Sequence, residues 1–221
     1  MKYSDFTIKQ FVLSAIEENC YVLAAPNAGR ECVVIDPGKE PDQVVSYLLE
    51  NELEPVAILI THGHCDHFAG LAELKTRWQD AAVYIGANDE YKLGDPNANH
   101  SPLLFGEPIV APDVDVLLAD GEEFSVAGFT FKTIEIPGHS AGHVVYVLET
   151  ESGAVVFCGD VIFAGSVGRA DFEDGDLNAL ISSIAEKILT LPDSTFLCPG
   201  HGSITKVGVE KRCNPFLQNL E

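Results

Sequence analysis

The run Val56-Ala57-Ile58-Leu59-Ile60-Thr61-His62-Gly63-His64-Cys65-Asp66-His67 decides how this chain is read. Five apolar residues in succession predict a strand buried on both faces. The strand delivers a loop that packs three imidazoles and one carboxylate into six residues. A strand anchored by burial holds such a loop at a fixed edge, while the loop itself can curl around an ion. His62, His64, Asp66 and His67 therefore read as metal ligands. Imidazole nitrogen and carboxylate oxygen suit zinc, and iron or manganese less selectively. A solvated polar loop is the competing reading for any lone histidine, but it does not account for four such groups at this spacing.

Outward from this loop the chain alternates strand-like and helix-like segments. On the N-terminal side, Tyr21 to Ala25 and Cys32 to Ile35 predict a hairpin through Pro26-Asn27-Ala28-Gly29, and Asp36-Pro37-Gly38 predicts a turn. Pro41 to Asn51 carries Val44, Val45, Leu48 and Leu49 at helical spacing. After the loop, Phe68 to Trp78 presents Leu71, Leu74 and Trp78 on one helical face, and Ala82 to Ile85 predicts a strand. Asn88 to Pro112 has no clear period and reads as a long loop, with His100 as a surface histidine. Leu117-Leu118, Glu123 to Val126, Phe129 to Ile136, Val144 to Leu148 and Ala154 to Cys158 predict a second sheet. A helix over Leu177 to Leu191 and a last strand over Thr195 to Cys198 follow. Strands inside and helices outside predict a layered α/β protein.

Three further strand ends carry the same chemistry: Pro137-Gly138-His139, Gly159-Asp160 and Gly200-His201. Gly-His and Gly-Asp occur in ordinary turns, so the weight lies in four strand ends all terminating in ligand-type residues. His143 reads as a structural neighbour of this set.

Composition narrows the partners. With 46% hydrophobic residues in 221, the chain can fill a sizeable core, and no linker, repeat or low-complexity segment divides it, so residues 1–221 are expected to form one domain. A formal charge of −21 argues against nucleic acid or an anionic membrane as partner. The N-terminal Met1-Lys2-Tyr3-Ser4-Asp5-Phe6 lacks the apolar core of a signal peptide, and no apolar run approaches ~20 residues, which predicts a cytoplasmic protein. Six scattered cysteines without CxxC spacing predict free, mostly buried thiols, Cys65 among them.

Thr61-His62-x-His64-x-Asp66-His67, Pro137-Gly138-His139, Gly159-Asp160 and Gly200-His201, in that order, resemble the metallo-β-lactamase superfamily over nearly the whole chain. The resemblance implies a four-layer αββα sandwich with the site along one sheet edge. It implies that His62, His64 and His139 hold one divalent metal ion, that Asp66, His67 and His201 hold a second, and that Asp160 bridges both. An aspartate at position 160 is unlike the lactam-cleaving branches, and His64 is unlike the glutamate of the diiron flavoprotein branch. Gly165-Ser166-Val167-Gly168-Arg169-Ala170-Asp171-Phe172 and Asn214-Pro215-Phe216 are similar to short relatives of glyoxalase II. That similarity implies hydrolysis of a small-molecule thioester, hydroxyacylglutathione, by metal-bound hydroxide that Asp66 and Asp160 orient. Arg169 stands where a substrate-contacting lysine is expected and can pair either with a substrate carboxylate or, equally, with Asp171 as a structural ion pair, while Asp171 and Ser203 replace two contacting tyrosines. Only 20 residues follow His201, too few for the C-terminal helical domain of the larger enzymes. The alternative is a persulfide dioxygenase of the same fold, with one iron held by the positions of His62, His139 and Asp160. A metal-stabilised binding module ranks last, because it leaves so large a ligand set unexplained. The oligomeric state is not legible.

Overall fold

The computed structural model describes residues 6–150 and 153–218. Of the stretch Met1 to Phe6, read as lacking the apolar core of a signal peptide, residues 1–5 lie outside them.

Six strands form the first sheet in the order β1 (Thr7–Leu13), β2 (Glu18–Ala24), β3 (Glu31–Ile35), β4 (Glu54–Ile60), β5 (Ala82–Gly86) and β6 (Val116–Leu118). The first three pair antiparallel, and β3 to β6 run parallel. The second sheet is built from β7 (Glu123–Val126), β8 (Phe129–Glu135), β9 (Val144–Thr150), β10 (Gly153–Gly159), β13 (Phe196–Pro199) and β14 (Thr205–Lys206). A two-stranded ribbon, β11 (Ile162–Phe163) with β12 (Ser166–Val167), lies between β10 and β13 in sequence.

Side-chain alternation sorts these strands into layers. Along β4, Ala57 and Leu59 enter one buried cluster and Ile58 and Ile60 another; along β9, Tyr146 and Leu148 turn one way and Val145 and Val147 the other. The central cluster joins the two sheets, with Leu23, Ile35 and Leu59 against Phe131, Tyr146 and Phe157. Helices α1 (Asp42–Glu50) and α2 (Leu71–Arg77) cover the first sheet through Val44, Leu48, Leu71 and Leu74. Helix α5 (Leu177–Ser183), its π-helical continuation Ile184–Ile188, and α6 (Val207–Cys213) cover the second through Leu180, Ile184, Ile188 and Val207. The result is the αββα sandwich expected, and each fully buried Leu, Ile or Val contributes about 1.5–3 kcal/mol by leaving water.

Two expectations need correction. The segment Asn88 to Pro112 is not a plain loop: it contains α3 (Glu90–Gly94) and α4 (Ser101–Phe105), each too short for helical periodicity to register. Leu117-Leu118 belongs to the first sheet, where β6 pairs parallel with β5, because a three-residue strand carries no signal of which sheet it will extend. The cysteines are free, five buried and Cys213 exposed. Among the described residues no helix is long and apolar enough to cross a membrane.

Candidate metal centre

The C-terminal ends of β3, β4, β10 and β13 gather at one edge, joined there by the loop after β8. Parallel pairing of β3 with β4 and of β10 with β13 makes those ends coincide. Buried cross-links hold the edge: Tyr21 donates to the Pro199 carbonyl at 2.7 Å, Tyr146 donates to the Ile60 carbonyl at 2.8 Å, and the Val144 amide donates to the Thr61 carbonyl at 2.9 Å.

Three ring nitrogens converge first: His62 Nε2 to His64 Nδ1 is 3.0 Å, His64 Nδ1 to His139 Nε2 is 2.9 Å, and His139 Nε2 to His62 Nε2 is 3.1 Å. All three side chains are buried. The outward nitrogens reveal which inner ones carry lone pairs. His139 Nδ1 lies 2.8 Å from the Arg169 carbonyl, which can only accept, so Nδ1 holds the proton. Thr61 Oγ1 donates to Asp36 at 2.7 Å and therefore accepts from His62 Nδ1 at 3.1 Å. With lone pairs facing inward at this separation, the trio repels itself unless a cation lies among them; a tetrahedral zinc site sets its nitrogens about 3.3 Å apart.

A second group stands beside it. Asp66 Oδ2 is 3.4 Å from His201 Nε2 and 3.8 Å from His67 Nε2. Asp160 reaches both groups, with Oδ1 3.4 Å from His67 Nε2, and Oδ2 3.7 Å from both His139 Nε2 and His201 Nε2. The outward nitrogens again face acceptors, His67 Nδ1 at 3.0 Å from Asp36 Oδ2 and His201 Nδ1 at 3.2 Å from the Glu17 carbonyl. Asp66 Oδ1, His67 Nε2 and Asp160 Oδ1 are buried without a hydrogen-bond partner, as metal-facing atoms are. These donors suit two divalent ions, with His62, His64 and His139 able to hold one, Asp66, His67 and His201 the other, and Asp160 between them.

Electrostatics differ between the groups. Burial pushes His62 and His64 well below the usual imidazole range, and pushes His139 down against the pull of Asp160. Burial acts the same way on His67 and His201, but carboxylates outweigh it: Asp66, Asp160 and Asp36 raise His67 well above its ordinary value, and Asp66 with Asp160 raises His201. Burial works to raise Asp160, yet the surrounding histidines, His67 foremost, hold it well below the carboxylate range.

Sequence reasoning missed the residues that hold the ligands. Asp36, read as part of a turn, accepts from the Thr61 amide at 2.8 Å as well as from Thr61 Oγ1 and His67. Its left-handed backbone, φ +49°, aims the carboxylate inward, and its place at a strand end was the available signal. Asp89 had none. Fully buried, it accepts from the Gly63 amide at 2.8 Å, Ser140 Oγ at 2.7 Å and the Gly142 amide at 2.9 Å, so it clamps the loop of His62 and His64 to the loop of His139. Buried Lys92 reaches Asp89 at 3.4 Å and Asp174 at 2.6 Å. Gly63 has to be glycine, since a Cβ there would sit 2.6 Å from Lys92 Cβ. Glu18 is fully buried against His67, with burial first and Asp36, Asp66 and Asp160 after it raising its pKa well above the carboxylate range against the pull of His67.

Other expected residues lie apart. Arg169 points outward into a two-pronged ion pair with Asp171, at 2.7 and 2.9 Å, and only its carbonyl touches the site. His143 is buried, stacks on His62 at 4.6 Å and accepts from the Asp160 amide at 3.0 Å through Nε2. Cys65 sits among the ligands, but burial pushes its thiol up to about 12, and it joins none of the ligand groups. His100 is not a plain surface histidine: half-buried, it stacks on Phe172 at 3.9 Å and approaches His64.

A family model described as the metallo-beta-lactamase superfamily matches residues 15–201. The chain belongs to this superfamily. Among its members, hydroxyacylglutathione hydrolase GloC of Haemophilus influenzae is 36% identical over 214 residues, covering 94% of this chain and 96% of that protein. The crystal structure of BLEG-1 B3 metallo-beta-lactamase superposes with a TM-score of 0.90 at 37% identity, covering 96% of this chain and all of that one. The crystal structure of TTHA1623 in a di-iron-bound form gives 0.80 at 36%, over 95% of this chain and 100% of the other.

Proposed function

We propose that this member of the superfamily hydrolyses a thioester, with hydroxyacylglutathione as the substrate class, at a centre of two divalent ions. The carrying observation is Asp160, whose two carboxylate oxygens face both ligand groups at 3.4 to 3.7 Å. The likeness to GloC supports the choice of substrate, and the likeness to a di-iron protein supports a paired site in which iron stands beside zinc and manganese. Residues 1–221 act as one unit in this reading, because the ligand loops leave strands of both sheets.

Bound there, two divalent ions supply a water acidified toward neutrality and a Lewis acid for the scissile carbonyl. Asp66 and Asp160, which would hold those ions, would also orient that water, with the surrounding histidines keeping Asp160 ionised. Asp36, Thr61, Glu17 and Arg169 hold the outward protons of four histidines and thereby keep the inner lone pairs aimed. A thiolate departs without protonation, so the site needs no separate acid. Arg169 is proposed to meet a substrate carboxylate by exchanging it for Asp171, an exposed ion pair that is readily traded.

Within the same cluster His139 Nε2 lies 3.1 Å from His62 Nε2 and 3.7 Å from Asp160 Oδ2, two histidines and one carboxylate of the kind that non-haem iron oxygenases use, which keeps the dioxygenase as the second reading. The deciding experiment measures metal content and anaerobic turnover of S-lactoylglutathione, glutathione persulfide and a β-lactam side by side. About two ions per chain with thioester hydrolysis supports the proposal. One iron with oxygen uptake on the persulfide moves the assignment to a dioxygenase, and hydrolysis of the β-lactam alone overturns it.

A further inference from the structure

Four of the ligand histidines have a visible acceptor for the outward N–H: Thr61 Oγ1 for His62, Asp36 for His67, the Arg169 carbonyl for His139 and the Glu17 carbonyl for His201. His64 is different. It faces the cluster through Nδ1, so its Nε2 must carry the proton, yet that atom is buried with no partner. A ligand histidine whose other nitrogen is unheld is free to rotate and is a poorer donor.

One other imidazole nitrogen in this neighbourhood is in the complementary position. His100 Nε2 is likewise buried without a partner, and the two rings lie 5.0 Å apart between centroids at 51°. In these rotamers neither nitrogen bonds the other, but rings hydrogen-bonded at about 2.9 Å have centroids about 5 Å apart, so rotation of either ring, or one bridging water, can join them without moving the backbone.

The surrounding chain fixes His100 there. The Cys65 amide, next to His64, donates to the Asn99 carbonyl at 3.0 Å. Buried Asn99 then pins its own segment: Nδ2 donates to the carbonyls of Lys92 and Ile109, each at 3.0 Å, and Oδ1 accepts from the Ser101 amide at 3.0 Å. His100 takes a left-handed backbone, φ +62°, and its ring lies on Phe172 at 3.9 Å, while the Arg169 guanidinium lies 4.0 Å from the same ring centroid. Phe172 thus carries both the imidazole and the guanidinium, and its stack on His100 favours the position beside His64.

We propose that His100 is a positioning residue for the metal centre: its Nε2 accepts the Nε2–H of His64, directly or through one water, and so fixes the tautomer and orientation of that ligand. The inference rests on the metal-ligand reading of His64. It gives the segment between β5 and β6 a function, that of carrying the fifth outer acceptor of the site.

Two variants separate this role from packing. His100→Phe keeps a ring on Phe172 and removes the acceptor; His100→Gln removes the ring and keeps an acceptor. Both replace histidine in the left-handed conformation, so that cost is shared. Affinities for zinc are measured by competition with a chromophoric chelator, thermal melting reports folding, and long-range proton–nitrogen NMR of histidine-labelled protein reports the His64 Nε2–H. His100→Phe is expected to weaken one of the two ions by about 10-fold or more and to expose the His64 proton to rapid exchange. His100→Gln is expected to stay within about threefold of the parent and to keep that proton slow, as an equivalent acceptor should. Equal affinities in parent and His100→Phe overturn the inference, and so does equal weakening in both variants, which assigns the effect to the ring stack. If His100→Phe fails to fold, the exchange rate of the His64 proton in the parent and in His100→Gln decides. A parent that takes up no zinc refutes the metal-ligand reading instead, and the NMR measurement still decides whether the hydrogen bond exists.

Discussion

Replacing Asp89 by alanine tests whether the two ligand loops are held by one buried carboxylate. The change strands two backbone amides and one hydroxyl, which the carboxylate bonds at 2.7 to 2.9 Å, and takes from Lys92 one of its two anionic partners. Hydrogen bonds to a charged acceptor contribute about 1.5–3 kcal/mol each, and breaking a buried charge pair costs about 3–5 kcal/mol. These effects share one side chain and are not additive, so the expected destabilisation is about 4 kcal/mol. That is a large fraction of the roughly 5–15 kcal/mol of a typical domain. Asp89→Asn keeps one accepting oxygen but turns an amine toward donors, and should lose about half as much. Urea unfolding in the presence of chelator, followed by the fluorescence of Trp78, reads the difference without a contribution from bound metal. With a slope of about 2 kcal/mol/M, the alanine midpoint should fall by about 2 M at unchanged slope. A loss below about 1 kcal/mol, the ordinary effect of a point change, would show that the loops hold themselves and would refute the clamp.

Further outcomes follow from the same geometry. His62→Ala removes a corner of the first trio, and should lower metal content from about two ions per chain to about one with loss of most turnover; full content and rate would sink the ligand assignment. Asp36→Asn withdraws the negative charge behind His67 and should weaken the second ion by about 10- to 100-fold in chelator competition, with a smaller loss at the first ion, which Asp36 reaches only through Thr61 and His62. Acidification should empty the two groups in order: His67 and His201, raised above the ordinary imidazole pKa, hold protons that an ion must displace, whereas His62, His64 and His139, lowered below it, are already neutral. Metal content after dialysis at falling pH should therefore drop from about two ions to about one before the remaining ion is lost, and simultaneous loss of both would contradict the assignment. Gly168→Ala drives a methyl group into the Asp160 carbonyl oxygen and to 3.1 Å from His139 Nδ1, so thioester turnover should collapse while the protein stays folded, at a cost of about 1–3 kcal/mol; parental turnover would show that this contact yields without moving Asp160.

The layered fold and the ligand-type residues were legible in the chain because both are written locally, while the division of those residues into two groups came from the family resemblance. Ile58 and Ile60 alternate with Ala57 and Leu59, and that alternation assigns each residue to a layer. His62, His64, Asp66 and His67 fall within six residues of a strand end, so their chemistry announces itself without knowledge of the fold. His139, Asp160 and His201 were found because each repeats that strand-end pattern. Asp36 repeats it too, but a Pro-Gly sequence behind it favours the turn reading.

Only the tertiary structure decided which groups hold the ligands in place. Asp89 meets Gly63, Ser140 and Gly142 across 26, 51 and 53 residues of chain, and a lone aspartate after a strand carries no mark of those partners. The same holds for His100, placed beside His64 by Asn99; for Arg169 the chain offered two partners, and the structure shows the pair with Asp171. Ligand identity is a property of residue type and local pattern, while ligand orientation depends on hydrogen bonds between distant segments, and these exist only once packing of the two sheets has closed the loops upon one another.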